Sequence, residues 1–415
     1  MREKWPELDY LGWRETCSAL HLYLQVVGKY RLAHTPWLNH SWNATFYVTP
    51  RGLTTSLIPD GPGIEIQFDF QDDTLRGSAG DGATAEFALG PTTVADFHER
   101  FLRLVGDLGG TPTFDGAPNE VPFPVPFAED RRDRPYDGDA VRRLHGALLS
   151  IDEVFTTFRS GYLGKSSPVH LFWGSFDLAV TRFSGRRAPL HPAGIPSLPD
   201  DVAQEAYDRE VSSAGFWPGG NGIDYPAFYA YAYPSPGAFR AASVTPDAAF
   251  WHDGMGEFVL PYEAVRSAAD PAATLLSFLS STYEAAAELG RWDRDMLECD
   301  TGRRGRPRAP DAAVTEAPQA TVQVEREDGA SKGRYVVRTD GVEAEMTYSR
   351  VSESLIIIDH TEVPGALRGQ KIGEQLVLKA IEDARRDNVS IIPLCPFAKA
   401  QFARHADWQD VLAKS

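Results

Sequence analysis

The chain has 415 residues, with 41 Lys and Arg against 58 Asp and Glu and a formal charge of −17. Its 42% hydrophobic and 24% charged content excludes a wholly disordered chain; it has no run of about 18 apolar residues to span a membrane, and Cys17, Cys299 and Cys395 fall in no disulfide or metal-ligand spacing. Residues 301–415 hold 17 charges of each sign, so residues 1–300 carry the whole −17, which disfavours contact with nucleic-acid phosphates.

In chain order, residues 1–300 read as a mixed α+β domain. The start, MREKWPELDYLGW, lacks the apolar block of a secretion signal, so a reducing cytoplasm is expected. Spacing by four puts His21, Gln25 and Lys29 on one face of a helix. Residues 42–59 alternate around Pro50-Arg51-Gly52 and predict a hairpin, and residues 62–70 predict a half-buried strand. Helices are expected over 95–110 and 139–158, and strands over 169–183 and 227–233. In or beside the strand at 169–183 lie His170, Asp177, Arg182, Arg186 and Arg187, a candidate polar cluster in an aromatic pocket; ordinary salt bridges would also account for it. Residues 271–298 read as helical and close the domain.

The segments WPELDYLGWRETCSALHLYLQVVGKYR, HLFWGSFDLAVTRFSGR, EVSSAGFWPGG and GEFVLPYEAVR together resemble a bacterial family of uncharacterised proteins. The resemblance covers nearly all of residues 1–300 and implies a domain without supplying an activity.

Residues 301–320, TGRRGRPRAPDAAVTEAPQA, have three prolines and no apolar period, which predicts a linker. The expected organisation is therefore a domain over 1–300, a linker over 301–320 and a second domain over 321–415. Arg304-Gly305-Arg306-Pro307 matches the core of a minor-groove hook, but one short copy beside an acidic domain reads as a solvated basic linker.

In the last hundred residues, strands are expected over 334–339 and 342–350 about a Thr339-Asp340-Gly341 turn, with a longer, central strand over 354–363. The loop GALRGQKIG follows. Gly373, Leu376, Val377, Ala380, Ile381 and Ala384 then make one apolar helical stripe. A strand over 389–394 and a helix over 396–406 complete the pattern. Strand, basic glycine loop and helix together predict a phosphate site, because the first helical turn leaves free N–H groups and partial positive charge; an ordinary αβ turn with a few charges would also account for the loop.

HTEVPGALRGQKIGEQLV, followed by PLCPFAKAQFARHADW, closely resembles the minimal GNAT-type N-acetyltransferases over about residues 322–412. The resemblance implies a mixed sheet with flanking helices and a diphosphate loop for acetyl-CoA at Arg368, Gly369, Gln370, Lys371, Ile372 and Gly373. Lys371 stands where the family usually has glycine. The resemblance also implies that main chain near Glu362 and Val363 holds the thioester carbonyl and pantetheine. Glu362 or His360, two apart on one strand, would take the amine proton. Cys395 is a candidate nucleophile, acid to the leaving thiolate, or small buried residue. The helix tyrosine that many GNAT enzymes use is absent; the segment has Phe397, Gln401 and Phe402.

The function expected is therefore acetyl-CoA-dependent transfer of an acetyl group to an amine by direct attack, without metal. The acceptor would be a small molecule or a protein. The alternatives are a non-catalytic acyl-CoA sensor attached to residues 1–300, or an enzyme within residues 1–300 regulated by the second domain. Oligomeric state and acceptor identity are not legible in the chain.

Overall fold

The structure is a computed structural model that describes residues 3–194, 198–220, 222–299, 323–339, 341–364, 367 and 372–413, without the side chains of 403–404 and 406–407. The expected linker over 301–320 and Asp340 of the expected turn lie outside the described residues. The described residues form two compact units, one ending at Cys299 and one beginning at Gln323.

In the first unit, α1 (Tyr10–His34) precedes a five-stranded antiparallel meander: β1 (Tyr47–Thr49), β2 (Gly52–Ile58), β3 (Ile64–Asp69), β4 (Thr74–Ala79) and β5 (Thr84–Ala88). The β1–β2 hairpin turns at Pro50-Arg51, where alternation predicted it. Two helices follow, and both start at a side-chain cap. Thr93 accepts from the Asp96 amide ahead of α2 (Val94–Asp107), and Asp137 accepts from the amides of Asp139 and Ala140 ahead of α3 (Gly138–Ser160).

A second sheet contains β6 (His170–Phe172), β7 (Asp177–Arg187), β8 (Arg209–Trp217), β9 (Ala227–Tyr233), β10 (Phe250–His252) and β11 (Glu257–Pro261). Its order is β10-β11-β9-β8-β7-β6, antiparallel throughout. The helix α4 (Asp200–Ala206) lies between β7 and β8 in sequence, and α5 (Tyr262–Arg266), α6 (Pro271–Leu289) and α7 (Arg294–Leu297) end the unit. The single strand expected over 169–183 is instead the hairpin β6–β7. Trp173-Gly174-Ser175-Phe176 turns the chain, with Phe176 at φ 59 and its N–H donated to the Phe172 carbonyl at 2.9 Å. Reciprocal bonds of 2.9 and 2.8 Å between Phe46 and Leu171 join the start of the meander to β6.

The second sheet has two unlike faces because alternate residues point to opposite sides. Leu178, Val180, Phe216, Phe228, Ala230, Phe258 and Leu260 belong to the unit's main core, together with Leu275, Phe278 and Leu279 of α6. The opposite face carries Asp177, Ala179, Thr181, Ser213, Trp217, Tyr229, Tyr231 and Glu257, and these line a cavity.

In the second unit, β12 (Val324–Asp328), β13 (Lys332–Thr339), β14 (Val342–Ser352), β15 (Leu355–Glu362) and β16 (Ser390–Pro393) lie in that order. The pairs are antiparallel except β15–β16, which is parallel and is crossed by α8 (Ile372–Asp387). The middle place belongs to β14; the strand expected to be central, β15, lies beside it. Every residue of the expected stripe on α8 is buried, and Tyr335, Ala344, Met346 and Ile358 of the sheet share its core. The short α9 (Pro396–Arg404) follows β16. The other sheet face holds ion pairs: Arg334 reaches Glu327, Glu343 and Glu345, and Arg338 reaches Glu325, Glu327 and Glu343.

Candidate functional site

Strands β15 and β16 pair only as far as Ile358 and Pro393. The amides of Leu394 and Cys395 both donate to the Ile358 carbonyl at 3.1 Å, and the chain then turns into α9. Residues Asp359–Glu362 continue along β14, so their other edge has no strand partner among the described residues. This parted edge is what a parallel pair leaves when one strand stops early.

Cys395 caps α9 at that mouth and is 3% exposed. Its Sγ lies 3.5 Å from Oγ1 of Thr361. Burial pushes the thiol up, but the Ala398 amide, the Thr361 side chain and the Phe397 and Thr361 amides outweigh it, leaving Cys395 below the ordinary thiol range. His360 and Glu362 are exposed and face the opposite side of the sheet, opposite Thr347 and Glu345 in register. The structure thus brings Cys395 to Thr361, while His360 and Glu362 share the ion-paired face.

Of the expected diphosphate loop, Arg368, Gly369, Gln370 and Lys371 lie outside the described residues. Ile372 and Gly373 open α8 and are buried. A Cβ on Gly373 would come 2.8 Å from the Phe397 ring and 3.5 Å from Cγ2 of Val363, so the tip of α8, the end of β15 and the start of α9 meet at one point.

The first unit holds a cavity of about 400 Å³ on the polar face of its second sheet. His21, Gln25 and Lys29 share a face of α1, as their spacing requires, and they hold the loops that carry its lining residues Asn119, Trp173 and Gly174. Nε2 of His21 lies 3.0 and 2.9 Å from the carbonyls of Trp173 and Gly174. Gln25 exchanges bonds of 2.6 and 2.8 Å with the backbone of Asn119. Lys29 donates to Asp115 at 2.6 Å and Asn119 at 2.8 Å. Burial drives His21 down to about 4, so it clamps these loops as a neutral ring.

That clamp sets Glu120 against Gly174, where a Cβ would fall 2.1 Å from its Oε1. Burial, then the charge of Asp177, pushes Glu120 up to about 7. Glu257 rises to about 8 for the same two reasons. Asp177 is 4% exposed and accepts from the Ser175 and Tyr229 hydroxyls; burial still raises it. The Tyr229 ring crosses Gly215 to reach it.

Of the expected polar cluster, only Asp177 lines this cavity. Arg182 is on the other face, with its guanidinium carbon 3.5 Å from the Phe158 ring centre and 4.2 Å from that of Tyr283. Arg186 pairs with Glu210, Arg187 is exposed, and His170 is fully buried beside Phe172. Glu120 and Glu257 gave no sequence signal, since each reaches the cavity from a distant segment.

Comparison with known proteins bears on both units. The model of a family of unknown function, DUF5996, matches residues 5–299. A model described as GCN5-related N-acetyl-transferase matches residues 334–411. A GCN5-like protein from Staphylococcus aureus, solved by NMR in solution, is 32% identical over 92% of its own chain and 23% of this one, with a TM-score of 0.19. No curated protein matches. Because the first match spans well over half of its length, the chain belongs to the DUF5996 family, and it carries in addition a GCN5-related N-acetyltransferase domain.

Proposed function

We propose that residues 321–415 form an acetyl-CoA-dependent N-acetyltransferase that moves an acetyl group to an amine by direct attack. The observation that carries this reading is the parted edge at Asp359–Glu362, beside Cys395 and the opening turn of α8. The residues present fit a thioester carrier: an edge without a strand partner among the described residues suits an amide chain, and the tip of a sixteen-residue helix suits a diphosphate.

When bound, acetyl-CoA supplies an activated acetyl carbon; the amine nitrogen bonds to it, the carbon–sulfur bond breaks with its electron pair going to sulfur, and the amine gives up one proton. The main chain near Glu362 and Val363 donates to the developing oxyanion. His360 or Glu362, on the open face, takes the amine proton directly or through water. Cys395 and Thr361 sit on the core face. A thiol held below its ordinary range can pass its proton to a departing alkylthiolate. Arg368, Gly369, Gln370 and Lys371 would hold the diphosphate with Ile372 and Gly373. The acceptor is an amine on a small molecule or a protein, in a reducing cytoplasm.

The test is calorimetry of the full chain with acetyl-CoA, alongside release of free thiol with a panel of primary amines. Gly373→Glu should lose acetyl-CoA binding while the melting of residues 1–300 stays unchanged. Equal affinity in both proteins rejects the site. Binding without thiol release from any amine would favour the sensor reading, to which the missing helix tyrosine also points.

A further inference from the structure

The cavity of the first unit is walled by aromatic rings, Trp37, Trp42, Trp217, Tyr207, Tyr229 and Tyr231 among them. Its volume of about 400 Å³ lies within the range of small-molecule sites. Three carboxyl groups, Glu120, Asp177 and Glu257, line it, and no Lys or Arg is among the described lining residues. His40, also in the lining, is driven down by burial and stays neutral at neutral pH. Lys165 touches the wall from outside that set, with Nζ 4.9 Å from the Trp42 ring centre and 5.0 Å from that of Phe183.

Four buried polar atoms of lining residues have no hydrogen-bond partner among the described residues: Oε2 of Glu257, Nε1 of Trp173, Oγ of Ser41 and Nε2 of His40. A buried unpaired group is costly, and a ligand that supplies the partner removes the penalty.

We propose that this cavity binds a small organic ammonium ion, with its N–H groups held by Glu257 and its charge balanced by Asp177 and Glu120. The aromatic walls cover its carbon skeleton and attract its charge through their faces. The charge pattern selects the ligand: burial and mutual repulsion favour the protonated acids in the empty cavity, and an ammonium ion offsets that repulsion and lets them ionise, whereas a carboxylate or phosphate adds to it. This proposal stands on the first unit alone and does not depend on the acetyltransferase reading.

The experiment titrates the full chain with 2-phenylethylamine and 1,4-diaminobutane, and with 2-phenylethanol and a neutral hexose as uncharged controls. The amines should bind at millimolar concentration or below, and the controls should not. Because residues 321–415 are also proposed to meet amines, Glu257→Gln assigns the location. It should weaken amine binding roughly tenfold or more without lowering the melting temperature. Asp177→Asn is the second variant and should act in the same direction. Binding of the alcohol or hexose as tightly as the amine, absence of amine binding, or amine binding indifferent to Glu257→Gln would each overturn the proposal.

Discussion

Burial and the neighbouring Asp177 push Glu257 up to about 8, from an ordinary value of 4.5. The folded chain therefore keeps a proton that the unfolded chain releases. Its contribution to stability is complete below about 4.5 and is lost as pH rises to about 8. Glu120, raised to about 7, acts with the same sign over a shorter span. The titratable groups coupled to Glu257 are Asp177 on β7, Tyr207 after α4, and Tyr229 and Tyr231 on β9; Glu120 couples to Asp177 and Tyr207. Burial raises all three tyrosines, so they are neutral across this window. Glu257→Gln should flatten the fall in stability between those two pH values, as read by urea denaturation. An unchanged slope would mean that Glu257 is ionised in the folded chain. Spacing along the chain does not mark this residue, because its shift arises from surroundings that three other segments supply.

At the scale of the element, one missing Cβ organises the polar face of the second sheet. Gly215 pairs with Ala179 on one side and Tyr229 on the other. A Cβ there would meet Cζ and Oη of Tyr229 at 2.3 Å. Gly215→Ala should push the ring away from Asp177 and destabilise the unit by about 1–3 kcal/mol, measured by denaturation. A neutral result would show that the ring can lie elsewhere. The same alternation explains how the expected polar cluster divides. Asp177 and Arg182 differ by an odd number of positions along β7, so the strand's period of two sends them to opposite faces. The hairpin at Trp173–Phe176 escaped the alternation pattern because aromatic residues occupy the turn itself.

At the scale of the whole molecule, the described residues form two compact units with separate cores. Calorimetric melting of the full chain should resolve two transitions. Leu376 is fully buried in the second core, and Leu376→Ala should lower one transition by about 2–5 kcal/mol of unfolding free energy. Gly215→Ala should lower only the other. One shared transition that responds to both variants would show the units to be coupled.

By itself the sequence determined what local period can carry: the α8 stripe, the β1–β2 hairpin, and the shared face of His21, Gln25 and Lys29. Side-chain periods of 2 and 3.6 depend on neighbours along the chain, so they are present before any folding. Tertiary structure alone decided the acidic, ring-lined cavity and the parting of β15 from β16. Glu120 comes from a loop, Asp177 from β7 and Glu257 from β11, and a cavity wall exists only once long-range pairing has closed it. The shifts of these acids follow from that closure, since desolvation and mutual repulsion act only between groups the fold has brought together.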